Sequence, residues 1–215
     1  MKKAFSLIEL LVVIAIVGII ASLLISMISG GYTLSKTTLC KNNQRQLVFA
    51  ATSYRNDNGK HPPAVVSMSV HWDNESILWQ YLDKVEEKLI CSEHFDESYS
   101  TTGYNYNAML GDEYQIGSGI TIEGISVSNC SHPANCAMFG DGHNNKFMRA
   151  TLSNISIRCG GRQSFRHSGA TVIGWLDGHV SVQPTMYNNG CDVVPNVGFL
   201  SEDNNAYDPR MLNLD

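Results

Sequence analysis

Hydrophobic and polar positions are distributed very unevenly along this chain of 215 residues. From Leu10 to Ile28 it reads LLVVIAIVGIIASLLISMI, a run without a single charge. At about 1.5 Å per residue such a helix covers roughly 28 Å, close to the hydrocarbon thickness of a bilayer. The pattern then changes rather than stops. Between Tyr32 and Asn58 there is no proline, and Leu39, Cys40, Leu47, Ala50, Ala51 and Tyr54 recur near helical spacing. Lys41, Asn42, Arg45, Gln46 and Arg55 take the other side. Asn56-Asp57-Asn58-Gly59 is a stop signal, and His61-Pro62-Pro63 forbids resumption. The periodicity therefore predicts one long helix over 5–58, transmembrane over about 10–28 and amphipathic beyond, with Gly30-Gly31 as a candidate bend.

From about residue 64 to 215 the pattern breaks into short pieces. Glu75 to Leu89 has the apolar spacing of a short helix, with Trp72 and Trp79 flanking it. Ile120–Val127 and Ala137–Phe139 are strand candidates. Residues 163–183 read QSFRHSGATVIGWLDGHVSVQ, in which Ser168-Gly169 and Asp177-Gly178 separate three β-rich segments. Asp-Gly suits a type I′ turn, with positive φ at both central positions, so this stretch predicts a three-stranded antiparallel meander. Residues 186–215, rich in Asn, Asp and Pro, predict an irregular, surface-wrapping tail. The fold class expected is α+β, a long N-terminal helix packed on a small antiparallel sheet.

Composition narrows the function. A hydrophobic share of 43% excludes disorder as the dominant state. The net charge is −5 and no run of Lys and Arg occurs, which argues against a nucleic-acid partner.

The N-terminus admits three readings. A cleaved secretory signal has a shorter apolar core and a small-residue cleavage site, which Met27-Ile28-Ser29-Gly30-Gly31 only weakly supplies. A plain anchor, with Lys2 and Lys3 in the cytoplasm, fits the run but leaves Glu9 unexplained. A carboxylate at the membrane costs roughly 2.5–3.5 kcal/mol on insertion scales, so it calls for a partner. The third reading covers both. Lys2-Lys3-Ala4, then Phe5-Ser6-Leu7-Ile8-Glu9, then an apolar helix, resembles the prepilin leader of type IV pilins and type II secretion pseudopilins. That resemblance implies a leader of residues 1–4, cleavage between Ala4 and Phe5 by a prepilin peptidase, and N-methylation of Phe5. It also implies that Glu9 neutralises the Phe5 amine of a neighbouring subunit. Ala4 departs from the family, which usually has Gly there.

The head carries a second resemblance. His167 and Asp177-Gly178 are nine residues apart, and this is similar to the signature of the H-x9-DG domain that follows prepilin leaders in a large family. Tyr54–Pro63, Leu89-Ile90-Cys91-Ser92-Glu93, Tyr104–Asn107 and His132-Pro133 to Asp141 resemble further elements of that family, in the same order.

Candidate chemistry is sparse. Asp141, His143, His167, Asp177 and His179 could in principle form a metal or acid–base site. If 170–176 is one strand, however, its seven residues at about 3.3 Å each put His167 and Asp177 roughly 23 Å apart, too far for a shared ion. A turn at Asp177-Gly178 and a local hydrogen-bonding role for His167 is the plainer reading, with no metal. Asp192, Glu202, Asp203 and Asp208 in the tail are a candidate calcium site, the one cofactor considered. All six cysteines, Cys40, Cys91, Cys130, Cys136, Cys159 and Cys191, follow the apolar run and so face an oxidising compartment if it spans the membrane. Six allow 15 pairings. Cys130–Cys136 and Cys159–Cys191 are candidate bridges.

Two functions remain. One is a structural subunit of a pilus-like or pseudopilus filament, anchored in the inner membrane with a periplasmic head, its partners being the peptidase and other pilin-like subunits. The other is a membrane-anchored periplasmic binding module or enzyme using the leader for export. The chain shows no nucleophile elbow, phosphate loop or His-Glu-x-x-His, so a non-enzyme is expected.

Overall fold

The computed structural model describes residues 6–67, 70–82, 89–94, 102–111, 114–116, 120–122, 130, 132–143, 146–148, 161–188, 190–191 and 193–201. The chain divides into two compact units, Met1–Lys36 and Thr37–Asp215.

One helix, α1 (Leu7–Asn58, 52 residues), runs unbroken through Gly30-Gly31. Two glycines cost a helix roughly 1 kcal/mol each, which the proline-free flanks on both sides absorb. Ser6 is its N-cap: the Ser6 carbonyl accepts the Leu10 amide at 3.2 Å, and the Ser6 amide donates to Glu9 Oε2 at 2.9 Å. Ser6-Leu7-Ile8-Glu9 thus supplies the back-bonding half of a capping box. Within the first unit, Leu7–Ile25 is long and apolar enough to cross a membrane, and none of that window is buried.

Within the second unit, α1 buries Cys40, Gln44, Leu47, Val48, Ala50 and Ala51. The stripe differs from the expected one at Leu39, which faces outward, and at Gln44, which faces in. Positions 40, 44, 47, 48 and 51 share one helical face, and residue 39 lies about eighty degrees beyond its edge. The cost of burying Gln44 is reduced because its Nε2 donates to the Val172 carbonyl at 2.7 Å. The helix stops where Gly59 takes a φ of +73° and donates to the Arg55 carbonyl at 2.8 Å.

The strands that follow are β1 (Val65–Ser67), β2 (Val70–His71), β3 (Tyr104–Asn107), β4 (Tyr114–Ile116), β5 (Ile120–Ile122), β6 (Ala137–Asp141), β7 (Phe147–Met148), β8 (Gln163–Ser164), β9 (Thr171–Trp175), β10 (Val180–Gln183) and β11 (Val197–Gly198). Among the described residues, five form the main sheet in the order β10-β9-β6-β3-β7. Its pairs are antiparallel except the edge pair β3/β7, which is parallel. The architecture is α+β.

Three expectations need correction. The stretch 163–183 is not a meander: β9 pairs with β10 and β6, while β8 pairs with β11. Phe165, buried after β8, donates its amide to the Asn196 carbonyl at 2.7 Å, holding this segment to the tail. The tail is accordingly only in part a surface wrap as far as residue 201: Met186 and Val193 are exposed, but Val197 and Phe199 are buried. No α-helix forms over 75–82. That segment is a series of turns closing in a short 3-10 helix, Trp79–Tyr81, because Trp72, Ile77, Leu78 and Trp79 all go into the core. Residues 83–88 and 123–127 lie outside the described set.

The core is aromatic. Phe139 packs edge-on to Trp72 with centroids 5.3 Å apart and against Tyr106 at 5.0 Å. Such pairs add about 0.5–1.5 kcal/mol each beyond their area. Gly174, in the middle of β9, allows α1 to approach: a Cβ there would come within 2.7 Å of Val48 Cγ2.

Candidate functional site: a buried thiol, imidazole and carboxylate cluster

Four separate segments meet in the interior of the second unit. α1 contributes Cys40. The turn after residue 90 contributes Cys91 and Glu93, held by the Cys91 amide on the Thr102 carbonyl and the His94 amide on the Cys91 carbonyl, both at 2.9 Å. The end of β6 contributes Asp141. A two-residue turn contributes His167: its amide donates to the Ala170 carbonyl at 3.0 Å and its carbonyl accepts from Ala170 at 3.1 Å. Ser168 (φ 55°) and Gly169 (φ 80°) both have positive φ, which makes this a type I′ turn.

His167 is buried, with Nδ1 3.1 Å from Glu93 Oε2 and Nε2 3.3 Å from Asp141 Oδ2. Asp141 is fixed in turn, since its Oδ2 accepts from the Val172 amide at 2.7 Å and from Thr171 Oγ1 at 3.4 Å. Cys91 Sγ lies 3.7 Å from His167 Nε2 and 2.9 Å from Cys40 Sγ, and both cysteines are free thiols. One ligand atom from each of Cys40, Cys91 and His167 falls within 4.8 Å of the others.

The electrostatics follow from these contacts. Burial is the largest single effect and works against a charge on His167, but the hydrogen bonds and charges of Asp141 and Cys40 together outweigh it, and its pKa rises to about 10. His167 is therefore an imidazolium between two carboxylates at neutral pH. The Cys91 contact pulls the Cys40 thiol well below the ordinary thiol range, against the effect of burial. The same contact, with burial, pushes Cys91 up. Burial also raises the Tyr104 phenol, whose oxygen accepts from Asn43 Nδ2 at 3.1 Å.

The structure does not bring Asp177 and Gly178 to this cluster. They form the β9–β10 hairpin, at the opposite end of a five-residue strand that spans roughly 17 Å at ~3.3 Å per residue. The turn type differs from the expected I′. The Gly178 amide donates to the Trp175 carbonyl at 3.0 Å and the Trp175 amide to the His179 carbonyl at 2.9 Å. Gly178 has a φ of +102°, whereas Asp177 is not among the positive-φ residues. This is a three-residue loop, a turn over Leu176-Asp177 followed by a glycine bulge. The Asp177 carboxylate accepts from His179 Nδ1 at 2.6 Å and from the His179 amide at 3.1 Å. Burial is the largest single effect and acts against it, but the His179 contacts together hold the Asp177 carboxyl below its usual range. Of the five residues considered for a joint site, then, His167 joins Asp141 and Asp177 joins His179. His143 is tied through its amide to the Arg162 carbonyl at 3.3 Å.

Cys130 and Cys136, expected as a bridge, are two thiols here; a hydrogen bond from Cys136 leads the effects that lower Cys130 to about 6. Cys191 is disulfide-bonded. Cys159, Ala4, Phe5 and the candidate calcium residues Asp192, Glu202, Asp203 and Asp208 lie outside the described residues. A groove of about 730 Å³ opens between α1 and the hairpin, with Arg45, Phe49, Arg55, Cys130, Asp177 and Gly178 on its walls.

Sequence reasoning missed Cys40, Cys91 and Glu93 as site residues. The available signal was Cys91-Ser92-Glu93, where thiol and carboxylate are two apart and a single turn presents both.

Comparison with known proteins adds one match. Residues 1–25 fit the family model of the prokaryotic N-terminal methylation motif. The chain thus carries the prepilin-type N-terminus of processed, pilin-like or pseudopilin-type proteins, ahead of an apolar helix suited to a single membrane pass. No curated protein and no solved structure matches the chain.

Proposed function

We propose that this chain is a structural subunit of a type IV pilus-like or type II secretion pseudopilus filament. The observation that carries the reading is the helix surface over Leu7–Ile25. It is apolar, wholly unburied and led by one carboxylate, Glu9, within a methylation motif. Such a surface needs a surrounding of lipid or of identical helices. Lipid serves the subunit while it waits in the inner membrane with its head in the periplasm. Other pilin-like helices serve it in the filament. Prepilin peptidase cuts between Ala4 and Phe5 and methylates Phe5, and the new amine meets Glu9 of a neighbour, each charge offsetting the other's desolvation. The head is an H-x9-DG domain in this reading, on the order of its sequence elements, and carries no catalytic role.

Mass spectrometry of the membrane-extracted protein tests this. N-methyl-Phe5 at the mature terminus is expected. An intact Met1, or a terminus near Ser29, overturns it.

The groove beside Asp177 favours a second reading, a membrane-anchored periplasmic binding module. Electron microscopy with an antibody to the head separates the two, since labelled filaments are expected only of the first.

A further inference from the structure

We infer that Cys40 and Cys91 close a disulfide that ties α1 to the head, a bond between helix and loop that neither sequence resemblance nor cysteine spacing indicates. The inference rests on the periplasmic placement of the head. Its geometric basis is the 2.9 Å between the two sulfurs, closer than unbonded sulfur atoms ordinarily approach. Closing to the ~2.05 Å of a disulfide asks only a small rotation of side chains already pointed at each other. Both residues are fully enclosed, and the other polar contacts of the sulfurs, Ser92 Oγ to Cys40 at 3.9 Å and His167 Nε2 to Cys91 at 3.7 Å, are much longer. Cys191 shows that the same unit holds a disulfide elsewhere.

A metal is the other occupant that the cluster suggests, and the geometry disfavours it. Two thiolates on one tetrahedral zinc, at about 2.3 Å each, stand roughly 3.8 Å apart. The third ligand is also committed. Both ring nitrogens of His167 face carboxylates, at 3.1 and 3.3 Å, so an ion there has to displace one of these contacts. A bridge also suits the local charges. Asp141 and Glu93 already face His167, and a neutral disulfide adds no third buried anion to them, as a Cys40 thiolate does.

The chemistry balances with a protein thiol–disulfide oxidant of the periplasm. The Cys40 thiolate attacks the oxidant's disulfide, forming a mixed disulfide and releasing one oxidant thiolate. Cys91 loses its proton and attacks the Cys40 sulfur, expelling the second oxidant thiolate. Two electrons pass to the oxidant, and the two protons end on its thiols. Because both sulfurs are buried in the folded head, the exchange precedes the docking of α1.

The test uses the full chain in its native membrane. Thiols are blocked with iodoacetamide during denaturing extraction, and the digest is mapped by mass spectrometry without reduction, with zinc measured on the undenatured protein. A cross-linked peptide pair containing Cys40 and Cys91, lost on reduction, is expected in most of the protein. In Cys40→Ser, Cys91 is expected to become alkylated while Cys191 stays bridged. Alkylated Cys40 and Cys91 beside a bridged Cys191 overturns the bond and leaves the periplasmic placement standing. Near-stoichiometric zinc with both thiols alkylated overturns it in favour of a metal site. Alkylation of Cys191 as well overturns both the bond and the placement on which it rests.

Discussion

His167 Nε2 lies 3.3 Å from Asp141 Oδ2, at the other end of β9 from Asp177. The histidine and the aspartate that make the nine-residue spacing in sequence thus belong to two different structural devices. One is a buried ion pair that joins β6 to the turn before β9. The other is an exposed hairpin cap. Asp141→Asn leaves the His167 imidazolium short of one buried counter-charge, and breaking a buried pair typically costs about 3–5 kcal/mol. Asp177→Asn disturbs a solvent-facing contact worth roughly 0–1 kcal/mol. Thermal denaturation of the two variants should show a large loss for the first and little for the second. Equal losses would contradict this division.

The hairpin makes its own prediction. Gly178 sits at φ +102° with open space around the position of a Cβ, so a substitution there meets strain and no clash. Gly178→Val should destabilise by at least about 1–2 kcal/mol, as expected for an L residue forced into left-handed backbone. Asp177→Gly should not relieve strain, because Asp177 already has an ordinary φ. Urea titration of both variants checks the contrast. A Gly178→Val protein as stable as its parent would refute the bulge.

His61 predicts a pH dependence. It is buried, and burial, with the Arg55 charge adding, lowers its pKa to about 4. The unfolded chain, with a value near 6.5, binds the proton more readily. Stability from this residue is therefore complete above pH 6.5 and falls as pH drops towards 4, by about 3 kcal/mol at ~1.36 kcal/mol per unit. His167 acts in the opposite sense. Its raised value adds stability fully present below pH 6.5 and lost as pH rises through about 10 in the dithiol form, and at a lower pH once the bridge removes the Cys40 contribution. Melting temperatures across pH should fall on the acid side, and His61→Phe should flatten that limb alone.

Glu9 holds two roles that substitution can part. Its Oε2 accepts the Ser6 amide, and its charge is the proposed partner of a neighbour's amine. Glu9→Gln keeps an acceptor for the cap and removes the charge; Glu9→Ala removes both. Cleavage should proceed in each. Filament yield, scored by shearing and immunoblot, should drop in both. Normal yield from Glu9→Gln would show that capping, not charge, is what assembly needs.

What could be foreseen in the chain depended on how local the cause was. The helix is written into consecutive residues: an apolar run, a proline-free amphipathic stretch, then Asn58-Gly59. The β9–β10 hairpin is also local, and its strands fall where Thr171–Leu176 and Val180–Gln183 suggest. Its turn type is less so, because Asp-Gly serves both a two-residue I′ loop and the second half of a three-residue loop. The two differ by one residue in register: a two-residue loop pairs Val180 with Trp175, whereas here Val180 pairs with Gly174. Sheet order escaped because β9 finds β6 some thirty residues back, while β8 finds β11 as far ahead. The buried cluster escaped for the same reason on a larger scale. Cys40, Cys91, Asp141 and His167 are distributed along more than half the chain, and their meeting depends on α1 docking through Gln44 and against Gly174.

That docking also decides how the head bears load. Cys40, Gln44 and Val48 are one turn apart on α1, and each touches a different part of the head: the Cys91 loop, the Val172 carbonyl and the bare backbone of Gly174. Tension arriving along the helix is shared among these three contacts, of which Cys40 stands nearest the N-terminus. Hydrogen bonds and van der Waals contacts creep under sustained pull, since each breaks and reforms on its own. A covalent first contact does not, and it shields those behind it. The order of these three residues along α1 makes the strongest fastening the one nearest the membrane-spanning half of the helix.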